Sequence, residues 1–209
     1  MRACVSLIAI TLGLTGCQYT AEPPISGPVP VYTSEQDKIS GKYLLFVDGT
    51  RLQKSIRSSD VTCIAHTFPV DLRTAFPNAI GATLKGQFEQ LEVVSAPVAP
   101  GDMAAKGAIG MIQVTGLNLD ARLSAIPGFL RNTMDTTVAV TAAFSVDGKS
   151  GGRLLGMTVE GDGQAQADGG MACEGGSKAL ATSSSAAIEE VTRRIAEAIA
   201  ASDKVRANK

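Results

Sequence analysis

The chain has 209 residues, with 19 lysines and arginines against 20 aspartates and glutamates, one histidine and no tryptophan. The near-neutral balance, with no basic stripe and no aromatic stacking platform, excludes the electrostatic footprint of a nucleic-acid binder. The length suits one domain with short appendages.

Residues 1–16, "MRACVSLIAITLGLTG", carry one positive charge at Arg2, then an apolar run, then small residues, which is the layout of a secretory signal peptide. A membrane-crossing helix needs about 20 apolar residues, and this run is roughly half that length. The four residues Leu14-Thr15-Gly16-Cys17 resemble the bacterial lipobox. The resemblance implies cleavage before Cys17 and acylation of its thiol and new amino group, giving several lipid chains where one would bind only marginally. By the sorting pattern of such lipoproteins, Gln18 in place of an aspartate implies the outer membrane, facing the periplasm. Removal of residues 1–16 takes away only Arg2, leaving 18 basic and 20 acidic residues.

Residues 17–41 are then expected to be the lipid anchor that the resemblance implies at Cys17, followed by a flexible, unpacked tether over 18–41, where Pro23, Pro24, Pro28 and Pro30 mix with glycine and polar residues. Residues 42–203 are expected to form a single α+β domain, and 204–209 a disordered tail. In chain order, "KYLLFVDG" reads as a strand ending in a turn, and "DVTCIAHTF" as a second, rich in β-formers. Leu72, Phe76, Ile80, Leu84 and Phe88 recur every four residues beside Ala75 and Ala79, the stripe of an amphipathic helix. Asp71 is placed as its N-cap. Pro77 interrupts the pattern, so either a turn precedes a helix starting at Pro77, the preferred reading, or the helix kinks there.

"QLEVVSAP" and "GAIGMIQVTGLNL" follow as strands, and "TTVAVTAAFSVDG" alternates strictly, the period-two signature of a sheet with one buried face. After the turn "DGKSGG", "RLLGMTVEGDGQAQA" is its hairpin partner. Leu180, Ile188, Val191, Ile195 and Ile199 then mark a long C-terminal helix. The predicted order is β-β-α-β-β-β-β-α: an antiparallel or mixed sheet with two helices packed on one face. Behind a lipobox, the phrase "HTFPVDLRTAFPNAIGATLKGQFEQLEVV" resembles the small α+β lipoproteins of bacterial envelopes, including YajG-like proteins and the auxiliary lipoproteins of lipid-transport ABC systems. That resemblance is to a fold serving many partners, so it implies no particular activity.

Of four cysteines, Cys4 leaves with the signal and Cys17 is consumed by lipid, so Cys63 and Cys173 remain for an oxidising compartment. Their pairing would clip the entrance of the last helix to the second strand; two separate buried thiols are the alternative. One histidine with two such cysteines falls short of a zinc site. His66 has no nucleophile elbow or triad spacing around it and reads as a structural residue. "GGMACEGGSK" ends in Ser177 then Lys178, the reverse of a phosphate loop. Glu160, Asp162 and Asp168 lack the alternation and closing glutamate of a calcium loop, and the glycines around them read as hairpin turns.

The segment "NLDARLSAIPGFLRNTMDT" is expected to join two strands as a loop carrying Leu123, Ile126, Phe129 and Leu130. The preferred reading is a short helix folded onto the sheet, and the alternative is a loop that docks a partner or a membrane. Taken together, these residues predict no enzyme, no cofactor and no metal. The expected protein is a membrane-anchored, non-enzymatic accessory or scaffold subunit of an envelope assembly with a protein partner, and the alternative is a binder of a lipid or small apolar ligand.

Overall fold

The structure is a computed structural model and describes residues 19–24, 27–33, 37–59, 63–128, 131–170 and 173–208. The strands are β1 (Ile39–Asp48), β2 (Gln53–Arg57), β3 (Thr67–Asp71), β4 (Phe88–Val93), β5 (Gly110–Ile126), β6 (Thr133–Gly148) and β7 (Arg153–Asp168). The helices are α1 (Ala75–Gln87), α2 (Pro100–Met103), α3 (Gly175–Ala200) and α4 (Asp203–Arg206). A five-stranded sheet runs β4-β1-β5-β6-β7, and β2 and β3 form a separate antiparallel pair. β1 is parallel to both β4 and β5, whereas β5, β6 and β7 form an antiparallel meander, so the sheet is mixed.

The two halves of the sheet are built from different sequence patterns for a physical reason. Parallel strands are covered on both faces and read as continuous apolar runs. In β1, Tyr43 and Leu45 enter the main core, while Leu44 faces a second cluster with Met103, Ala108 and Met111 beneath the β4–β5 connection. β6 instead alternates without a break: Met134, Thr136, Val138, Val140, Ala142, Phe144 and Val146 are buried and their neighbours are partly exposed. Against this inner face pack α1, through Phe76, Ile80 and Leu84, and α3, through Leu180, Ile188, Val191, Ile195 and Ile199.

Several boundaries depart from the expected ones. The second strand is not centred on Cys63: β2 and β3 flank it, and residues 63–65 turn between them. α1 starts at Ala75 with Thr74 at its N-cap, two residues before Pro77. Pro77 therefore sits in the first turn, where a missing N–H leaves no intrahelical bond unmade. Asp71 does not cap the helix, because its carboxylate accepts the backbone N–H of Arg73 at 3.0 Å and pairs with the Arg73 guanidinium at 2.5 Å. The expected loop at 118–136 is mostly sheet, since β5 runs on to Ile126 and β6 begins at Thr133.

Both appendages are also packed. Tyr19 and Ala21 donate backbone N–H bonds to Thr67 and Pro69 at 3.1 and 2.9 Å, and Ala21, fully buried, bridges Val70 in parallel. Val29 N–H donates to Thr83 Oγ1 on α1 at 2.9 Å. Prolines that favour extended chain thus lay these stretches along the domain instead of away from it. Residues 203–206 form α4 rather than a disordered tail, with Val205 fully buried.

Candidate functional site

Cys17 lies outside the described residues, but the chain two residues beyond it is fixed. The Tyr19 ring stacks on Phe68 with centroids 6.0 Å apart and tilts against His66 at 5.5 Å. These contacts place the N-terminal segment at the start of β3. The same end of the molecule gathers four other features. Thr67 pairs with Arg57 at the end of β2, and Ser59 N–H donates to Leu123 O on β5 at 3.1 Å. Cys63 is disulfide-bonded to Cys173, just before α3, with their Cα atoms 6.1 Å apart. Gly169 N–H donates to Asn132 O at 2.7 Å, joining the β7–α3 connection to the β5–β6 turn.

The disulfide ties the 63–65 turn to the entrance of α3, and Gly176 in the first turn of that helix lies against Phe68 and Leu123. Of the four residues expected on a docking loop, Leu123 is buried and belongs to the main core. Ile126, the last residue of β5, is 49% exposed, and Ile64, beside the disulfide, is 57% exposed. Phe129 and Leu130 fall outside the described residues. Sequence reasoning missed Ile64 because "VTCIAHTF" carries the β-branched signal of a strand, and only the disulfide shows that it is a turn.

His66 is half-buried, with its Nδ1 atom buried and without a hydrogen-bond partner among the described residues. Its neighbour is an aromatic ring, and no nucleophile or carboxylate is described against it. The acidic stretch is strand rather than turn. Glu160 and Asp162 pair opposite Thr141 and Ala139, while Asp168 lies six residues further along β7. At about 3.3 Å per residue that separation is near 20 Å, too far to share a cation. Arg131, 2.7 Å away, and the Gly170 N–H hold Asp168 below the usual carboxylate range. Among the described residues no three histidine, cysteine, aspartate or glutamate side chains converge on a metal-sized site.

The glycines of that stretch have another purpose. Gly161 and Gly163 lie on the inner face of β7, where α3 crosses so closely that a Cβ at Gly163 would stand 2.8 Å from Ala187 N and closer still to the Ser183 carbonyl. A Cβ at Gly161 would meet Val191 N at 2.5 Å. Only glycine allows this approach. Beside the crossing, Thr136 Oγ1 donates to Ser183 Oγ at 3.0 Å and Ser183 back-bonds to Ala179 O, which satisfies both buried hydroxyls. The contact between β7 and α3 is therefore structural, leaving the surface grooves as the open spaces. One, about 300 Å³, is lined by Pro28, Val29, Thr83, Gln87, Ala200 and Arg206. In it the Gln87 amide donates to Ala196 O at 3.1 Å, and its Oε1 is buried without a partner among the described residues.

No family model matches the chain, and no curated protein is similar to it in sequence. Its fold is similar to a DUF330 protein from Xanthomonas campestris, at TM-score 0.47 and 9% identity over 88% of this chain and 96% of that one. A hypothetical protein from Chlamydia trachomatis is similar at TM-score 0.45 and 13% identity, covering 81% and 99% respectively. A minor lipoprotein from Acinetobacter baumannii follows at TM-score 0.38 and 14% identity over 78% and 93%. At these values the likeness does not extend to function.

Proposed function

We propose that the protein is a lipoprotein of the bacterial cell envelope, acylated at Cys17, whose folded domain serves without catalysis as an accessory or scaffold subunit of a larger assembly. The carrying observation is the Cys63–Cys173 disulfide behind a lipobox, because such a bond persists in exported proteins and is rare in the reducing cytosol. Two further features support the reading. Among the described residues no helix is long and apolar enough to cross a membrane, which is compatible with attachment through a lipid. Among the described residues the one histidine lies against an aromatic ring, that of Tyr19. With Gln18 after the acylated cysteine, the outer membrane, periplasmic side, is the proposed address.

Metabolic labelling with a palmitate analogue should mark the wild-type protein and not Cys17→Ala, and equal incorporation would discard the lipoprotein reading. In-cell crosslinking of the labelled protein should then recover an envelope partner. A second reading, a binder of a lipid or small apolar ligand, rests on the groove beside Gln87, where a buried amide oxygen lacks a donor among the described residues. Native mass spectrometry of the domain separates the two readings, since a retained small molecule favours the second.

A further inference from the structure

We infer that the end of the fold carrying Tyr19, Ile64 and Ile126 rests directly on the lipid bilayer, so that the anchor fixes the orientation of the domain. This inference rests on acylation of Cys17. Extended chain spans at most about 3.6 Å per residue, so the Cα of Cys17 lies within about 7 Å of the Cα of Tyr19. Tyr19 is itself held by the bond from its N–H to Thr67 O at 3.1 Å, and Ala21 by its own bond to Pro69. A leash of about 7 Å is no longer than one headgroup layer, which is roughly 5–8 Å thick. Acyl chains in the hydrocarbon therefore draw the start of β3 to the lipid surface.

The residues at that end suit a lipid interface. Tyr19 supplies an amphipathic ring of the kind enriched at headgroup level. Ile64 is exposed on a turn whose backbone is tied to the fold at the neighbouring Cys63, bonded to Cys173. Ile126 and the exposed Pro127 lie beyond Leu123 at the tip of the long β5–β6 hairpin, on the side where Ser59 meets β5. Exposed Arg57 lies at the same end, where its charge suits lipid phosphates, and Arg131 lies there paired with Asp168. Val93, more exposed than either isoleucine, pairs with Leu45, which pairs with Ile112 near the start of β5, and so marks the opposite end.

The chain has no tryptophan, so single reporters can be introduced without background. The full-length lipidated protein carrying Ile64→Trp, Ile126→Trp or Val93→Trp would be reconstituted on phosphatidylcholine and phosphatidylglycerol vesicles containing brominated acyl chains. Tryptophan at 64 and 126 should shift to the blue and lose about half its emission, as contact with the hydrocarbon requires, and that at 93 should not change. A protein acylated at Cys17 by mass spectrometry, yet quenched nowhere or equally at all three positions, overturns the orientation and leaves the lipoprotein reading intact. Concentration-dependent self-association that buries positions 64 and 126 without quenching overturns it in favour of a protein contact. An unacylated Cys17 overturns both. Should either tryptophan unfold the domain, hydrogen exchange on the wild type decides. Residues 64–67 and 124–127 should gain protection on vesicles relative to soluble Cys17→Ala, with 91–95 unchanged, and equal protection at both ends overturns the inference.

Discussion

The phenolic hydroxyl of Tyr43, on the interior strand β1, donates to the carbonyl of Val205 at 3.1 Å, 162 residues further along the chain. Asn208 Nδ2 donates in turn to the same hydroxyl and to Ile109 O, at 3.1 and 3.0 Å. Burial pushes the Tyr43 phenol up despite the Asn208 bond, which acts the other way. The C-terminal turn is thus part of the core. Deleting residues 203–209 should cost about 1.5–3 kcal/mol from the loss of Val205 burial alone. Tyr43→Phe in the full chain should cost about 1 kcal/mol. Urea denaturation of both variants checks the pair of values.

Gly163 at the β7–α3 crossing and Gly81 inside α1 are glycines of opposite kinds. Gly163→Ala pushes a methyl group into the backbone of α3 and should destabilise by about 1–3 kcal/mol or more, because a helix backbone cannot step aside as a flexible side chain does. Gly81 lies inside α1 with open space where its Cβ would be. Gly81→Ala should therefore stabilise by roughly 0.5–1 kcal/mol. Thermal melts of the two variants should move in opposite directions.

The disulfide closes a loop of 110 residues. On the chain-entropy view such a loop confines the unfolded state by between about 4 and 5 kcal/mol, and measured losses for native bridges range over about 2–5 kcal/mol. Cys63→Ser/Cys173→Ser should lose stability in that range, and reductant should lower the melting temperature of the wild type while leaving the double variant unaffected.

Acid sensitivity should come partly from α3. Bonds from Arg193, and then from Arg194, hold the Glu190 carboxyl below the usual glutamate range. A native value below the unfolded one means that near pH 4 the unfolded chain binds more protons, so stability rises with pH there. The contribution is complete above the unfolded value of about 4.3 and is lost as the pH falls through the lower native value. Glu190→Gln should lose stability less steeply than the wild type from about pH 5 downward, in a pH series of chemical melts.

Much of the architecture was legible in local pattern. The alternation of Thr136 to Val146, the four-residue spacing of Phe76, Ile80 and Leu84, and the stripe from Leu180 to Ile199 each report which side of an element meets the core. The pattern failed where long-range contacts decide. Apolar alternation continues through Leu119, Ala121, Leu123 and Ala125, but Asp120 and Arg122 between them resemble loop composition unless β6 lies alongside. Glycines at 161 and 163 look like turn residues until α3 is seen to pass over them.

The candidate site divides in the same way. The lipobox-like run Leu14–Cys17, the leader-like composition before it and the two cysteines of the domain are readable in order along the chain, because those patterns depend on adjacent residues alone. How the stretch after Cys17 meets the domain is a different kind of fact. Proline-rich composition pointed to a loose tether, whereas backbone bonds from Tyr19 and Ala21 to β3 and the burial of Ala21 hold that stretch against the fold. Only the tertiary structure decided this, because an extended segment finds its partners on a strand about fifty residues away, and no local pattern encodes the edge that receives it.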